Sequence, residues 1–416
     1  MALHIPPALN HRRFRLLWLG FMISVAGTQM QTWALFWHIR TLTDQPIALG
    51  GVGLARIVPI VLFSLIGGSM ADVLNRRVMM FITQSVMALT AVALALLTIS
   101  GQIALWHIYF LTAIQAVASA FDGPARQSLV PNLVPAQDLP NAFSLTSIAA
   151  QTGAIVGPAL SGLVIAYWGQ AATYLINAIS YLAVLWALVM MGKVAQQADP
   201  TQRAVVSLPA IREGIQFIRS HPIILSTMIM DFFATFFSSA NTLMPIFARD
   251  VLHVGAVEYG WLSAAQSIGA MTAALIISQI DEIRRQGPIF LGAVVAFGLA
   301  TIAFGMSRTV AMAMAGLIFI GASDSVSTII RNTIRQLQTP DYIRGRMTSV
   351  NQIFFMGGPQ LGEMEAGIAA QLFNAPFAII SGGIGCILAV ALIARRWPQI
   401  RVYNGDEPML AGATAD

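Results

Sequence analysis

Apolar runs of about 20 residues, each long enough to cross roughly 30 Å of hydrocarbon, recur along this chain from end to end. Short polar stretches separate them. The pattern predicts twelve spans, near 14–38, 48–70, 78–99, 104–122, 141–168, 172–192, 222–248, 256–278, 288–306, 310–330, 347–372 and 376–396. Lipid offers the backbone no hydrogen-bond partners, so each span is expected to be a helix. An even number of spans puts both termini on one side. The 23 basic residues identify that side: all but Arg40, Arg56, Arg249 and Arg308 fall in the stretches that share a side with the N-terminus. Basic loops stay inside, so the termini are expected in the cytoplasm. Trp33, Trp37, Trp106 and Trp168 then lie near outer helix ends, where amphipathic rings settle.

The longest polar stretch, 193–221, divides six spans from six. Within it Leu208, Ile211, Ile215 and Ile218 recur at helical spacing beside Arg212, Glu213 and Arg219, which predicts an amphipathic helix lying on the inner membrane face. A plain tether between halves fits the same residues. The expected organisation is a bundle at 1–192, a cytoplasmic linker at 193–221, a second bundle at 222–396 and a cytoplasmic tail at 397–416.

The two halves repeat each other. Arg126, Pro135 and Ser144 are matched 205 residues later by Arg331, Pro340 and Ser349. At the same offset Gly153, Gly157 and Gly162 are matched by Gly358, Gly362 and Gly367. The fold class is therefore all-α and membrane-embedded: twelve transmembrane helices in two pseudo-symmetric six-helix bundles. Parallel repeats with a solute site at their interface are a transporter architecture.

Composition agrees and excludes other classes. The chain is 56% hydrophobic and 10% charged, against about 25% charged for a soluble domain. The formal charge of +5 is spread over short loops rather than gathered in one domain, which argues against nucleic acid as a partner. The single cysteine, Cys386, sits in an apolar run, so no disulfide or zinc cluster is available. The six histidines show no ligand spacing. No cofactor and no metal are expected. No nucleophile–base pair or phosphate loop marks an enzyme. The first apolar run follows Arg12, Arg13 and Arg15 and is too long for a cleavable signal.

Two short motifs carry more. Between the second and third spans stands Gly67-Gly68-Ser69-Met70-Ala71-Asp72-Val73-Leu74-Asn75-Arg76-Arg77, of the form G-x-x-A-D-x-x-x-R-R. The fifth span carries Gly153-Ala154-Ile155-Val156-Gly157-Pro158-Ala159-Leu160-Ser161-Gly162. Small residues there allow close helix packing, and Pro158 loosens the hydrogen-bond ladder. The first motif resembles the loop between helices two and three of the major facilitator superfamily. The second is similar to the G-x-x-x-G-P-x-x-G-G signature of its drug-type exporters, with Ser161 in place of one glycine. Phe121-Asp122-Gly123-Pro124-Ala125-Arg126 and Gly357-Gly358-Pro359-Gln360-Leu361-Gly362-Glu363 resemble the branch that contains the enterobactin exporter and related transmembrane secretion effectors.

This resemblance implies roles. Gly68, Asp72, Arg76 and Arg77 would form a cytoplasmic latch, with Arg126 as the partner of Asp72. Topology alone accounts equally well for Arg76 and Arg77. A degraded counterpart in the second half runs from Asp281 to Arg285. Helices two and eleven of the family face each other. Arg56, Glu363 and Glu365 lie roughly 10–14 Å below the outer surface at ~1.5 Å per residue, so Arg56 with Glu363 or Glu365 would form an outer gate. Helices one, four, seven and ten of the family line the cavity, which makes Asp231, then Asp122 and Asp324, proton-coupling candidates. Asp122 precedes Gly123-Pro124 and equally suits the end of its helix. Gln29, Gln31, Gln151, Asn241 and Gln266 are cavity candidates. Met22, Met30, Phe232, Phe233, Phe236 and Phe237 would supply an adaptable apolar wall.

One departure stands out. Drug–proton antiporters of the family carry R-x-x-Q-G in helix four; here the stretch is Thr112-Ala113-Ile114-Gln115-Ala116, with neither arginine nor glycine. The expected function is a secondary transporter of the bacterial cytoplasmic membrane. It would act as a single chain, exporting a small amphiphile such as a drug or siderophore in exchange for protons, in contact with membrane lipid. Uptake, lysophospholipid movement, and a non-transporting sensor or scaffold stay open on the sequence alone.

Overall fold

The computed structural model describes residues 6–194, 208–237, 240–280 and 283–405. Within its helices the side chains at 65, 68–69, 71–73, 208–211, 240, 341–342, 344–346, 348–349 and 352–356 fall outside that description. Every regular element among the described residues is helical. The long ones are α1 (Arg12–Leu42), α2 (Pro46–Val73), α3 (Arg76–Ile99), α4 (Leu105–Leu129) and α5 (Leu139–Met191). After α6 (Leu208–Ser220) come α7 (Pro222–Phe237) and the short α8 (Met244–Ile246), which runs into a π-turn at Phe247–Val251. The chain then forms α9 (Ala256–Ile277), α10 (Gln286–Met306), α11 (Val310–Leu337), α12 (Asp341–Leu372), α13 (Ala375–Arg396) and α14 (Gln399–Val402).

Among the described residues each expected span falls on helix, the seventh divided between α7, α8 and the short turns around α8. α5 covers two of them in 53 residues, broken at Gly169, whose φ of 78° only glycine adopts without strain. Eight segments among the described residues are long and apolar enough to cross a membrane, and the one at Ala136–Met191 holds both arms of α5. α1, α4 and α12 have spanning length but carry more polar side chains, as helices facing water or a solute do. The pattern is consistent with twelve crossings. Caps fix several starts: Asn75 accepts from the Val78 amide at 3.2 Å, Thr309 from Met312 at 3.3 Å and Asn374 from Phe377 at 2.8 Å.

The chain divides into two compact units. The first comprises Met1–Asp44, Ala55–Val205 and Val254–Ala264; the second comprises Gln45–Leu54, Val206–His253 and Ala265–Asp416. In the first, α1 packs along α5, and α3 packs against α4 and α5. Phe14, Leu17, Met80, Leu129, Leu145 and Leu188 meet in one buried cluster. In the second, α7 packs on α12 and α13, and α10 on α11 and α13.

In helix α6, Ile218 is buried, clustered with Ile224, Met228, Met347 and Val350 of α7 and α12, while Ile215 is exposed. Residues after α13 also fold back: Gly287 donates its amide to the Tyr403 carbonyl at 2.9 Å, and Gln338 donates to the Tyr403 hydroxyl at 3.1 Å. Tyr403 is buried.

Candidate functional site

The repeat seen in sequence reappears as packing, glycine by glycine. A methyl on Gly153 would strike Val25 and Ala26 of α1, and one on Gly358, its repeat partner, would strike Thr235 and Phe232 of α7. A methyl on Gly162 would lie 2.8 Å from Gly260 Cα in α9; one on Gly367 would lie 3.1 Å from Gly50 Cα in α2. Gly157 sits against Gln29 and Met30 of α1. The exporter-type stripe thus serves two neighbours, Gly153 and Gly157 seating α1 and Gly162 seating the first turns of α9. Small residues permit such backbone approach, and dispersion then holds it. Ser161, where the signature has glycine, donates to the Met30 carbonyl at 2.9 Å, so the substitution adds a helix-to-helix hydrogen bond.

Arg76 donates from Nη1 to the Ser128 carbonyl and to Asn132 Oδ1, both at 2.9 Å. Arg77 donates from Nε to the Leu188 carbonyl at 2.6 Å. Both arginines thereby tie the start of α3 to the ends of α4 and α5, a structural task beyond topology. The side chain of Asp72 lies outside the described residues, as do Asp281 and the surroundings of Gly68. Arg126 has an acid within its own helix, Asp122, at 3.7 Å, and its guanidinium stacks 3.9 Å from the Phe21 ring. Gly67, which the motif reading passed over, packs closely on Ala120 and Phe121 of α4.

Asp122 does not end its helix. α4 continues through Gly123-Pro124 to Leu129, and Asp122 is buried there. It accepts from Thr83 Oγ1 at 3.0 Å and Gln84 Nε2 at 2.9 Å of α3. These two donors, with Arg126 beside them, suit a structural carboxylate.

The second unit carries a denser cluster. Asp231 of α7 is 1% exposed and meets Arg331 Nη2 at 3.0 Å and Arg335 Nη2 at 3.4 Å. Arg335 also donates to Thr227 Oγ1 at 3.1 Å and to the Thr227 carbonyl at 2.9 Å. Asp324 sits in the middle of α11, rather than near its end, with its side chain 41% exposed and 3.9 Å from Arg331 Nη1. Of the three coupling candidates, then, Asp122 and Asp231 are enclosed and engaged, and Asp324 alone combines a mid-span position with an open face.

Among the cavity candidates, Gln31 belongs to a buried network. It donates to Gln115 Oε1 at 3.0 Å and accepts from Asn177 Nδ2 at 2.7 Å; Gln115 donates to the Tyr181 hydroxyl at 2.9 Å. Gln29, Asn241 and Gln266 are half-buried and Gln151 is exposed. Phe232 stacks on Phe236, and Phe233 on Phe237, as two short ladders along α7. Arg56 lies in the first unit, with Nη2 3.5 Å from Thr32 Oγ1 and its guanidinium 5.6 Å from the Phe36 ring. Glu363 lies in the second, packed against Gly53 of α2, with Glu365 half-buried nearby. Among the described residues no group of three metal-ligating side chains occurs.

A multi-pass membrane protein of two repeat-related helical units, with charge buried near the ends of its fourth- and tenth-span helices, is a carrier by architecture. The comparisons define it further: over residues 5–408 the chain matches the transmembrane secretion effector family, a branch of the major facilitator superfamily, and it belongs to that family. It is a secondary transporter that exports a small solute, and no enzyme. It is 24% identical over 409 residues to the enterobactin exporter EntS of Citrobacter koseri, covering 97% of this chain and 96% of that one. It is 22% identical over 408 residues to EntS of Shigella boydii, with the same coverage. In fold it is similar to a crystal structure of a bacterial homologue of the human lysosomal transporter Spinster, inward-facing and occupied. The TM-score is 0.74 at 14% identity, over 93% of this chain and 97% of that one. A nucleoside transporter, NupG, gives a TM-score of 0.70 at 14% identity, covering 94% and 99%.

Proposed function

We propose that the protein exports a small amphiphilic solute, drug-like or siderophore-like, from the bacterial cytoplasm by alternating access, with protons moving the other way. The observation that carries the alternating-access part is the paired glycine packing. Gly162 on Gly260 and Gly367 on Gly50 are close backbone contacts, of a kind helices can make and break at low cost. Gly162 and Gly367 are repeat partners, so each half supplies one contact of this kind. The name of the relatives, enterobactin exporter, supports the siderophore-like reading. The phenylalanine ladders of α7 suit such a solute.

Proton coupling is assigned to Asp324. Proton uptake at Asp231 competes with two ion pairs, and at Asp122 with a set of donors that would lose their acceptor. At Asp324 it competes with one contact of 3.9 Å on a half-open side chain. Cytoplasmic termini follow from the basic-residue bias, and a single chain contains both repeats, so a monomer suffices.

Inside-out membrane vesicles provide the test. With an acid-inside gradient they should accumulate a catecholate siderophore or a lipophilic dye, and the lumen should lose protons as solute enters. Accumulation that ignores the gradient would remove the coupling. Reporter fusions that place the two termini on opposite faces would overturn the arrangement itself.

A further inference from the structure

Tyr259 of α9 has no place in either motif, yet it is among the most enclosed large side chains of the first unit. It is 0% exposed and lies beside two tryptophans of α1, its ring centroid 6.0 Å from Trp33 and 4.9 Å from Trp37. Its hydroxyl donates to the Trp33 carbonyl at 2.8 Å. One residue on, Gly260 packs against Gly162 and the Pro158 carbonyl of α5. Tyr259 and Gly260 thus both hold the first turns of α9 in the first unit, while α9 beyond Ala264 belongs to the second unit. Only the side chain is directional.

We propose that Tyr259 is the positioning residue that fixes the resting state of the carrier, its hydroxyl and ring holding the opening turns of α9 against α1. This rests on the alternating-access reading and gives it a specific residue. The glycine contact alone is a close backbone contact and adds little orientation. The tyrosine supplies a hydrogen bond at a helix carbonyl and two aromatic contacts. When α9 leaves, a buried hydroxyl must find another partner, which biases the equilibrium toward the docked form.

The test uses the full-length protein with Cys386→Ser and a reporter cysteine introduced by Gln29→Cys, on the α1 face beside Gly157. Its labelling by a membrane-impermeant maleimide is followed in whole cells. Tyr259→Phe keeps the ring and removes the donor. Labelling should rise about two- to tenfold, the population shift expected from one hydrogen bond. Tyr259→Ala should raise it further. Tyr174→Phe, at another buried tyrosine of the same unit that touches α1 through His38, should leave labelling unchanged. Equal labelling in wild type and Tyr259→Phe would overturn the proposal, as would an equal rise in Tyr174→Phe. A reporter that never labels from outside in any variant would instead remove the alternating-access reading. Because the ring is retained, Tyr259→Phe decides the question even where Tyr259→Ala fails to fold.

Discussion

Arg331 in α11 crosses to Asp231 in α7, Nη2 to Oδ1 at 3.0 Å, whereas its repeat partner Arg126 in α4 meets the ring of Phe21 in α1 at 3.9 Å. The two halves solve one packing problem with opposite chemistry. In each, an arginine near the end of the fourth helix of its half must be satisfied against the first helix of that half. In the first unit the charge is answered from within α4, by Asp122 one turn earlier. In the second, the position equivalent to Asp122 is Ser327, which accepts from Arg331 Nη1 at 3.4 Å but carries no charge. The balancing carboxylate comes from α7 instead. A second arginine, Arg335, joins it, so Asp231 holds two cations at the junction of α7 and α11.

This arrangement predicts a severe stability defect for Asp231→Asn. Removing one partner of a buried ion pair leaves an uncompensated charge at a cost of about 3–5 kcal/mol. Here two guanidinium groups, each at most 3% exposed, would face each other without their acid. Thermal unfolding of purified protein should show the loss. In a double-mutant cycle with Arg331→Gln the pair should couple by roughly 0.5–3 kcal/mol. A wild-type melting curve for Asp231→Asn would show that the pair carries no structural weight.

Asp324→Asn should behave in the opposite way. Its side chain is half open and its one described ion contact is long, so stability should change by less than about 0.5 kcal/mol. Transport should separate into its parts: downhill exchange of solute persists, and gradient-driven accumulation is lost. Measuring both in the same vesicles checks the prediction. Uphill transport at the wild-type rate in Asp324→Asn would return the coupling role to another acid.

How far this was legible in the sequence depends on the kind of contact. Spans, their helical nature and the repeat could be read directly, because apolar length and a fixed 205-residue offset are properties of the chain itself. The role of Gly153, Gly157 and Gly162 as packing glycines was also readable, although not which helix each one meets. Asp122 and Asp231 were singled out in the sequence as proton-coupling candidates; the structure shows both buried and engaged. Their partners were not legible there, because Thr83 and Gln84 come from another helix and Arg331 and Arg335 lie beyond the expected end of the tenth span. The expected end of the fourth span at 122 was misplaced by Gly123-Pro124: a helix keeps going through proline when its freed carbonyl is tolerated by neighbours in a bundle. Tyr259 gave no signal at all. A lone tyrosine near a helix start looks like an interfacial anchor, and only the fold turns it inward.

Two glycines separate packing from propensity. Gly123 has open space where a methyl would go, and it lies inside α4. Gly123→Ala should therefore be neutral or stabilising by up to about 1 kcal/mol, the helix propensity difference. Gly157→Ala gains the same propensity but drives its methyl to 2.8 Å from the Ala26 carbonyl and 3.1 Å from the Met30 amide, forcing α1 away from α5. It should lower the melting temperature, by about 1–3 kcal/mol of overpacking. Equal melting temperatures for the two variants would contradict the close approach of α1 to α5.

Gln31 uses its amide at both ends. It joins Gln115 of α4 to Asn177 in the second arm of α5, and Asn177 in turn accepts from Ser180 Oγ at 2.9 Å. Gln31 is 2% exposed and Asn177 0%, so neither can turn to water when its partner is lost. Gln31→Leu keeps the volume but strands the Gln115 carbonyl and the Asn177 amide. Interhelical hydrogen bonds within membranes are worth roughly 0.6–1.7 kcal/mol each, so the loss should be about 1–3 kcal/mol. Asn177→Leu should cost a similar amount, and the double variant less than the sum, because each single change already breaks the shared bond. Unfolding of the purified single and double variants measures this directly. Strict additivity would mean that Gln31 and Asn177 act independently and that no network joins these three helices.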